Sequence, residues 1–253
     1  MKCSRTFGLV LTCVLITIGP VRGDAEETPN KGDTSVATFD WEGFLRQWST
    51  EVVALMKEWA QVSQNLKLNP LEEKAVESGW LGFPGASDAR IANAEARLGT
   101  TFPPSYKEFL KVTNGWVQLG FDAETTKLWS TEEIGWYRDK HTDSMNAWLS
   151  ARGSFNIQVP NDRYFVYGEA QDPVNMRDEY LKTALEISDA VDSAVYLLNP
   201  QVVTPDGEWE AWFFGTELPG ATRYRSFREM MEAERERIPK SLRAAIQWSR
   251  QQR

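Results

Sequence analysis

Apolar residues recur every three or four positions at the start of the globular part of the chain. Trp41, Phe44, Leu45, Trp48, Val52, Leu55, Met56, Trp59 and Val62 fall on one side of a helical projection. Asp40 precedes them as an N-cap, and Asn69-Pro70 follows as a stop. The pattern predicts one long amphipathic helix whose tryptophan stripe faces a core. Residues 79–85 (GWLGFPG) then read as a loop. Asp88 is the expected cap of a helix carrying Ile91, Ala94, Glu95 and Leu98, stopped by Gly99. Pro103-Pro104 opens another, because proline tolerates a first turn where its missing N–H would be unpaired anyway. Tyr106, Phe109, Leu110 and Thr113 line one side of it, and Asn114-Gly115 ends it.

Beyond Trp116 the spacing changes. Residues 116–119, 128–129, 155–159, 164–167, 184–187, 194–198 and 208–214 are short runs rich in aromatic or branched residues, bounded by turns. Helical pieces are expected at residues 131–134 and 144–151. Ser226 to Glu229 forms a capping box that opens a last helix, which Pro239 should break before helical spacing resumes to Trp248. Helices, then strands on short connections, then a helix, predict an α+β fold. Its sheet should be mainly antiparallel, about five to six strands flanked by helices, with an N-terminal amphipathic helical extension.

The first residues stand apart. Lys2 and Arg5 precede an uncharged apolar run over residues 7–18, then Pro20 and the acidic start of residues 24–27. This order predicts a signal peptide over residues 1–23 and a secreted or periplasmic product. The alternatives are a membrane anchor, if the leader is not cleaved, or a cytoplasmic protein, if the start codon lies further on. Residues 24–38 read as a flexible polar linker. Both cysteines, Cys3 and Cys13, lie in the leader, so the mature chain would hold no disulfide and no thiol nucleophile. Losing the leader removes three positive charges and no negative one, taking the net charge from −8 to −11. Such a surface repels nucleic acid and attracts basic partners. No stable membrane span is expected once the leader is gone.

A set of short motifs in order resembles a known family. Ile91, Glu95, Leu98-Gly99, Phe102-Pro103, Tyr106, Phe109-Leu110 and Asn114-Gly115 are similar to the N-terminal signature of the SUKH superfamily, named after yeast cell-wall-synthesis regulators of the Smi/Knr type. Residues 128–134 and 195–200 resemble its middle, and residues 206–212, 221–224 and 226–229 its C-terminal part. The resemblance covers residues 78–232, leaving a helical extension at 39–77 and a C-terminal helix at 233–253. It implies an α+β domain and a non-enzymatic role. Bacterial members are similar to immunity proteins that neutralise toxins, and fungal members act as regulatory interaction proteins.

Chemistry-bearing constellations are sparse. His141, the sole histidine, sits in a charged stretch and reads as a surface residue. Glu208 and Glu210 alternate with Trp209 and Ala211, so both carboxylates should share one strand face. A paired carboxylate with tryptophans nearby could serve a cell-envelope carbohydrate hydrolase or binder, although such acids are more often a strand's wet face. Asp189, Asp192 and Asp206 lack the loop spacing of a calcium hand. No phosphate loop or zinc motif is present, so no cofactor or metal is expected. The arginines of the last helix alternate with glutamates, unlike the basic stripe of a nucleic-acid site. The leading expectation is therefore a protein-binding module meeting a basic partner, such as a toxin domain. Its contact residues would be Trp80, Trp116, Asp189, Asp192, Asp206, Glu208 and Glu210, with core burial the alternative for both tryptophans and the favoured one for Trp116. Glu95, Tyr106 and Asn114 are expected to be structural.

Overall fold

The computed structural model describes residues 39–63, 66–119, 126–153, 158–190, 194–215 and 220–252. The leader and linker expectations therefore lie outside the described residues, as do Asp192 and most of the strand expected at 155–159.

Helix α1 spans Trp41–Val62, with the Asp40 carboxylate accepting from the Gly43 N–H at 2.9 Å. It stops well short of Pro70. Asn69, expected to end α1, instead caps α2 (Pro70–Ser78): its Oδ1 accepts from Leu71 and Glu72, and the Glu72 carboxylate accepts from the Asn69 N–H. Local polar satisfaction decides this boundary, because Leu66 and Leu68 continue the apolar pattern and pack on the core without being helical. α3 spans Asp88–Leu98 and is capped by Ser87, one residue before the expected Asp88. Gly99 ends it at φ +65°, a left-handed conformation that suits glycine. α4 spans Pro104–Val112.

The strands follow. β1 (Trp116–Gln118) and β2 (Thr126–Leu128) pair antiparallel. β3 (Gly135–Trp136), β4 (Leu185–Glu186), β5 (Ala194–Val203), β6 (Trp209–Gly215) and β7 (Gly220–Tyr224) form an antiparallel sheet in that order. A bridge between Leu128 and Ser188 joins the two. Between β3 and β4 lie α5 (Tyr137–Lys140), α6 (Thr142–Gly153), α7 (Asn161–Tyr164) and two 3-10 turns, Gly168–Ala170 and Asp178–Thr183. Residues 131–134 form a turn rather than the expected helix. Residues 164–167, expected as a strand, are the end of α7 and a loop, with Pro160 preceding the helical turn.

Both faces of the sheet are covered. Tyr196, Leu198, Trp209 and Ala211 pack into one core with α1, α4 and the last helix, α8 (Phe227–Gln251). Val195, Leu197, Trp212 and Phe214 pack into a second with Tyr137, Met145, Met176 and Leu181. β6 consequently has no wet face, which overturns the alternation reading of its acids. α8 runs unbroken through Pro239, contrary to the expected break. The helix is held there by packing: Ile238, Pro239 and Leu242 are buried. Ser226 caps α8 by accepting from the Glu229 N–H, while the Glu229 carboxylate accepts from Arg225 rather than closing the box.

α1 and α8 run in the same direction. Trp41 meets Phe227 near their starts, and Trp59 donates to the Ser249 Oγ near their ends. Gln47 with Arg235, Glu51 with Arg243 and Glu58 with Arg250 tie their outer edges together.

Candidate functional site

The predicted contact residues fall into two groups. Asp189 lies beyond the end of β4, its N–H donating to the Lys127 carbonyl at 3.0 Å. Trp116 pairs across the small sheet with Leu128, and the Trp80 and Trp116 rings meet edge to face at 5.4 Å. Asp206 and Glu208 lie on the turn after β5. Asp189 sits before β5 and Asp206 after it; β5 is irregular between Asn199 and Val203 and pairs along its length with the seven residues of β6, so about 20 Å separates the two ends. The predicted acids do not form one patch.

Within each group, burial sorts the residues. Trp116 is fully buried, packed between a tilted Trp48 ring and an edge-on Trp80 ring, and belongs to the core rather than to a contact surface. Trp80 is half-buried, with the Arg46 guanidinium 5.3 Å from its ring centre. Asp189 and Asp206 are exposed. The Asp206 carboxyl is held below its usual range by the Thr204 hydroxyl, which donates to it at 2.5 Å.

Glu208 and Glu210 do not form an open pair. Glu208 caps α4, accepting from the Ser105 N–H at 2.8 Å and the Ser105 hydroxyl at 2.6 Å. Glu210 is fully enclosed. Its Oε2 accepts from the Tyr164 hydroxyl at 2.6 Å, the Trp212 Nε1 at 2.6 Å and the Asn199 Nδ2 at 2.9 Å. Its Oε1 accepts from the Tyr167 hydroxyl at 2.8 Å and lies 3.8 Å from the buried Arg223 guanidinium. With no exposed surface, it cannot reach a glycoside, so the carboxylate-pair reading is corrected to a structural hub.

His141 is also placed differently from expectation. It is half-buried, stacks on Tyr137 at 4.5 Å, and its Nε2 lies 2.8 Å from the carboxylate of buried Glu186. Burial raises the Glu186 carboxyl, more than His141 lowers it.

The Asp189 end holds the more organised surface. The Asn114 Oδ1 accepts from the Thr131 N–H at 2.8 Å, fastening the end of α4 to the turn after β2. Glu132 accepts from Arg90 at 2.9 Å and from the Asn114 Nδ2 at 3.3 Å. Partial burial would raise its carboxyl, but hydrogen bonds from Arg90, Thr131 and its own N–H, and the Arg90 charge, take it down to about 2. Glu133 accepts from Lys127 at 2.6 Å and from Ser130 through both N–H and hydroxyl. Lys140 sits with its Nζ 3.3 Å from the Trp129 ring centre, and the Trp129 Nε1 donates to Asp189 at 2.5 Å. A cleft of about 450 Å³ opens among Phe83, Pro84, Arg90, Asn114, Lys127, Ser130 and Glu133. Sequence reading named Asn114 as structural but missed Arg90, Lys127, Glu133 and Lys140. Their only advance signal was the family-like run at residues 128–134, whose charges join partners from three separate elements.

Among the described residues no group of three or more His, Cys, Asp or Glu side chains could hold a metal ion. No described helix is long and apolar enough to cross a membrane. The model of the SMI1 / KNR4 family (SUKH-1) matches residues 85–233. No curated protein matches the chain significantly. The matched span contains the Asn114 turn, most of the cleft lining and the whole five-stranded sheet, while α1, α2, Phe83, Pro84 and α8 beyond Ala233 lie outside it.

Proposed function

The chain belongs to the SMI1/KNR4 (SUKH-1) family, which includes immunity proteins, and from that premise we propose a non-enzymatic protein-binding module whose partner seats on the Asp189 end. One observation carries the choice of surface. Exposed Asp189, Glu132 and Glu133 are each held in place by a buried or cross-element donor, and Glu133 lines the cleft. Side chains fixed before binding lose little freedom on binding, which is what a specific recognition surface needs.

The partner in this reading is a basic protein surface, such as a toxin domain that the module neutralises. The net charge of −8 favours the encounter, and the fixed carboxylates set the register. The Asp206 end lies outside the footprint, because a standard interface covers about 800 Å² per partner, a patch of about 16 Å radius when centred on the Asp189 end, and Asp206 is about 20 Å away. Export by the N-terminal leader would put that partner outside the cytoplasm. Mass spectrometry of the mature N-terminus tests that part: a product still starting at Met1 excludes a cleaved leader.

The surface is tested by charge reversal. Asp189→Lys combined with Glu133→Lys should weaken capture of the native partner at least tenfold and flatten its salt dependence, whereas Asp206→Lys should leave capture unchanged. The opposite result moves the interface to the β5–β6 turn and overturns this assignment.

A further inference from the structure

The two edges of the main sheet are closed by different means. β3 is only two residues long, and cations cover the carbonyls leading into it. The Arg97 guanidinium donates to the Ile134 carbonyl at 3.0 Å, and Lys140 donates to the Glu133 carbonyl at 2.9 Å. Charged, short edges of this kind do not accept another strand.

β7 is a different edge. Its outward groups are well aligned for pairing, and one side chain and one loop carbonyl, rather than a strand, occupy them. The Arg223 N–H donates to the Gln171 Oε1 at 2.6 Å, and the Gln171 Nε2 donates to the Arg223 carbonyl at 2.8 Å. One carboxamide thus makes both bonds that a residue of a neighbouring antiparallel strand would exchange with Arg223. Two residues on, the Ala221 N–H donates to the Pro173 carbonyl at 3.1 Å. Residues 168–173 thus form a strap along this edge, so close that a Cβ on Gly220 would stand 2.0 Å from the Pro173 carbonyl oxygen.

The strap itself is lightly held. Residues 168–170 and 172 are exposed, and Gln171 and Pro173 are only half-buried. Its firm anchors lie outside it, at buried Tyr164 on one side and buried Met176 on the other. Segments with few buried apolar contacts open at little cost.

We propose that the β7 edge is a strand-addition surface closed in cis by Gln171, and that a second copy of this chain occupies it when the latch is removed. Two copies can pair β7 to β7 about a two-fold axis through Thr222, placing Ala221 of each opposite Arg223 of the other. Each edge then supplies the same outward groups it requires, so the edge is self-complementary. The side chains nearest the axis, Ala221 and Thr222, are small. Arg223 points its guanidinium inward to Glu210 and leaves only its backbone at the edge.

The full chain and its Gln171→Ala and Gln171→Glu variants are compared by sedimentation over a concentration series and by hydrogen exchange at individual amides. Wild type should stay monomeric with Arg223 and Ala221 amides protected. Gln171→Ala should dimerise with rising concentration, and at high dilution its Arg223 amide should exchange about tenfold faster or more. Gln171→Glu retains an acceptor for the Arg223 N–H but loses the donor to its carbonyl, so it should dimerise likewise while its Arg223 amide stays protected at high dilution. It serves as the second probe if the alanine variant misfolds. Variants that stay monomeric at the highest concentration overturn the self-pairing. An Arg223 amide that remains protected in dilute monomeric Gln171→Ala overturns the latch itself.

Discussion

Glu58 and Arg250 face each other at 2.7 Å across α1 and α8, one heptad beyond Glu51 and Arg243. Seven residues on each helix carry one ion pair to the next, which is possible only because the helices run parallel and in register. α1 and α8 beyond Ala233 lie outside the span that the family model matches, so the family match does not report on this pairing.

The ion pairs should matter less than the stripe beneath them. All four side chains are at least one-third exposed, so Glu58→Ala or Arg250→Ala should cost about 0.5 kcal/mol or less, and high salt should erase the difference. Trp48→Ala, at a fully buried position against Trp116, should cost about 3–5 kcal/mol at any salt. Urea unfolding at low and high ionic strength distinguishes the two.

Glu210→Gln should destabilise the fold by about 3–5 kcal/mol. It leaves the Arg223 guanidinium buried without its countercharge and replaces one acceptor oxygen by a donor among groups that already donate. Equilibrium unfolding measures it, and a loss under 1 kcal/mol would show that the hub relaxes around a neutral side chain.

Tyr106 offers the reverse case. Its ring packs between Phe102, Phe109 and Phe227, but its buried hydroxyl has no hydrogen-bond partner, and burial raises its pKa strongly. Removing a buried, unpaired hydroxyl removes a desolvation cost, so Tyr106→Phe should be neutral or stabilising by about 1 kcal/mol. Loss of stability would mean that the hydroxyl is satisfied in solution.

Acid stability should carry two opposing contributions. The Glu186 carboxyl is raised from 4.5 by burial, so the folded state keeps its proton longer. Its contribution to stability falls as pH rises above about 4.5. Glu132 is taken down to about 2, so its contribution is present above 4.5 and lost as pH falls toward 2. In thermal melts from pH 2 to 7, the Tm of Glu186→Gln relative to wild type should climb as pH rises above 4.5. The deficit of Glu132→Gln should shrink toward pH 2. A pH-independent offset for Glu186→Gln would show that burial does not govern that group.

What could be read in advance followed locality. The helices from Pro104 to Val112 and from Phe227 onward announce themselves through prolines and caps a few residues apart. The tethering of Glu210 does not, because Tyr164 and Tyr167 lie more than 40 residues away. Those tyrosines sit in a run that looks like a strand by composition, yet their hydroxyls are used to line a buried carboxylate. Alternation failed at β6 for a related reason: a strand buried on both faces obeys no wet–dry rhythm. Pro239 misled in the other direction, since tertiary packing holds a helix through a residue that would break it alone.

The parallel course of α1 and α8 also fixes how the molecule would bear load. Phe39 lies at the start of α1, and the end of α8 is about 37 Å away along the helix axis. Tension applied between these two points would slide α1 lengthwise against α8. Trp41, Trp48, Trp59 and the heptad ion pairs would then have to give way together rather than one after another. A chain stretched between its two ends would yield abruptly and at higher force than one gripped across the helix pair.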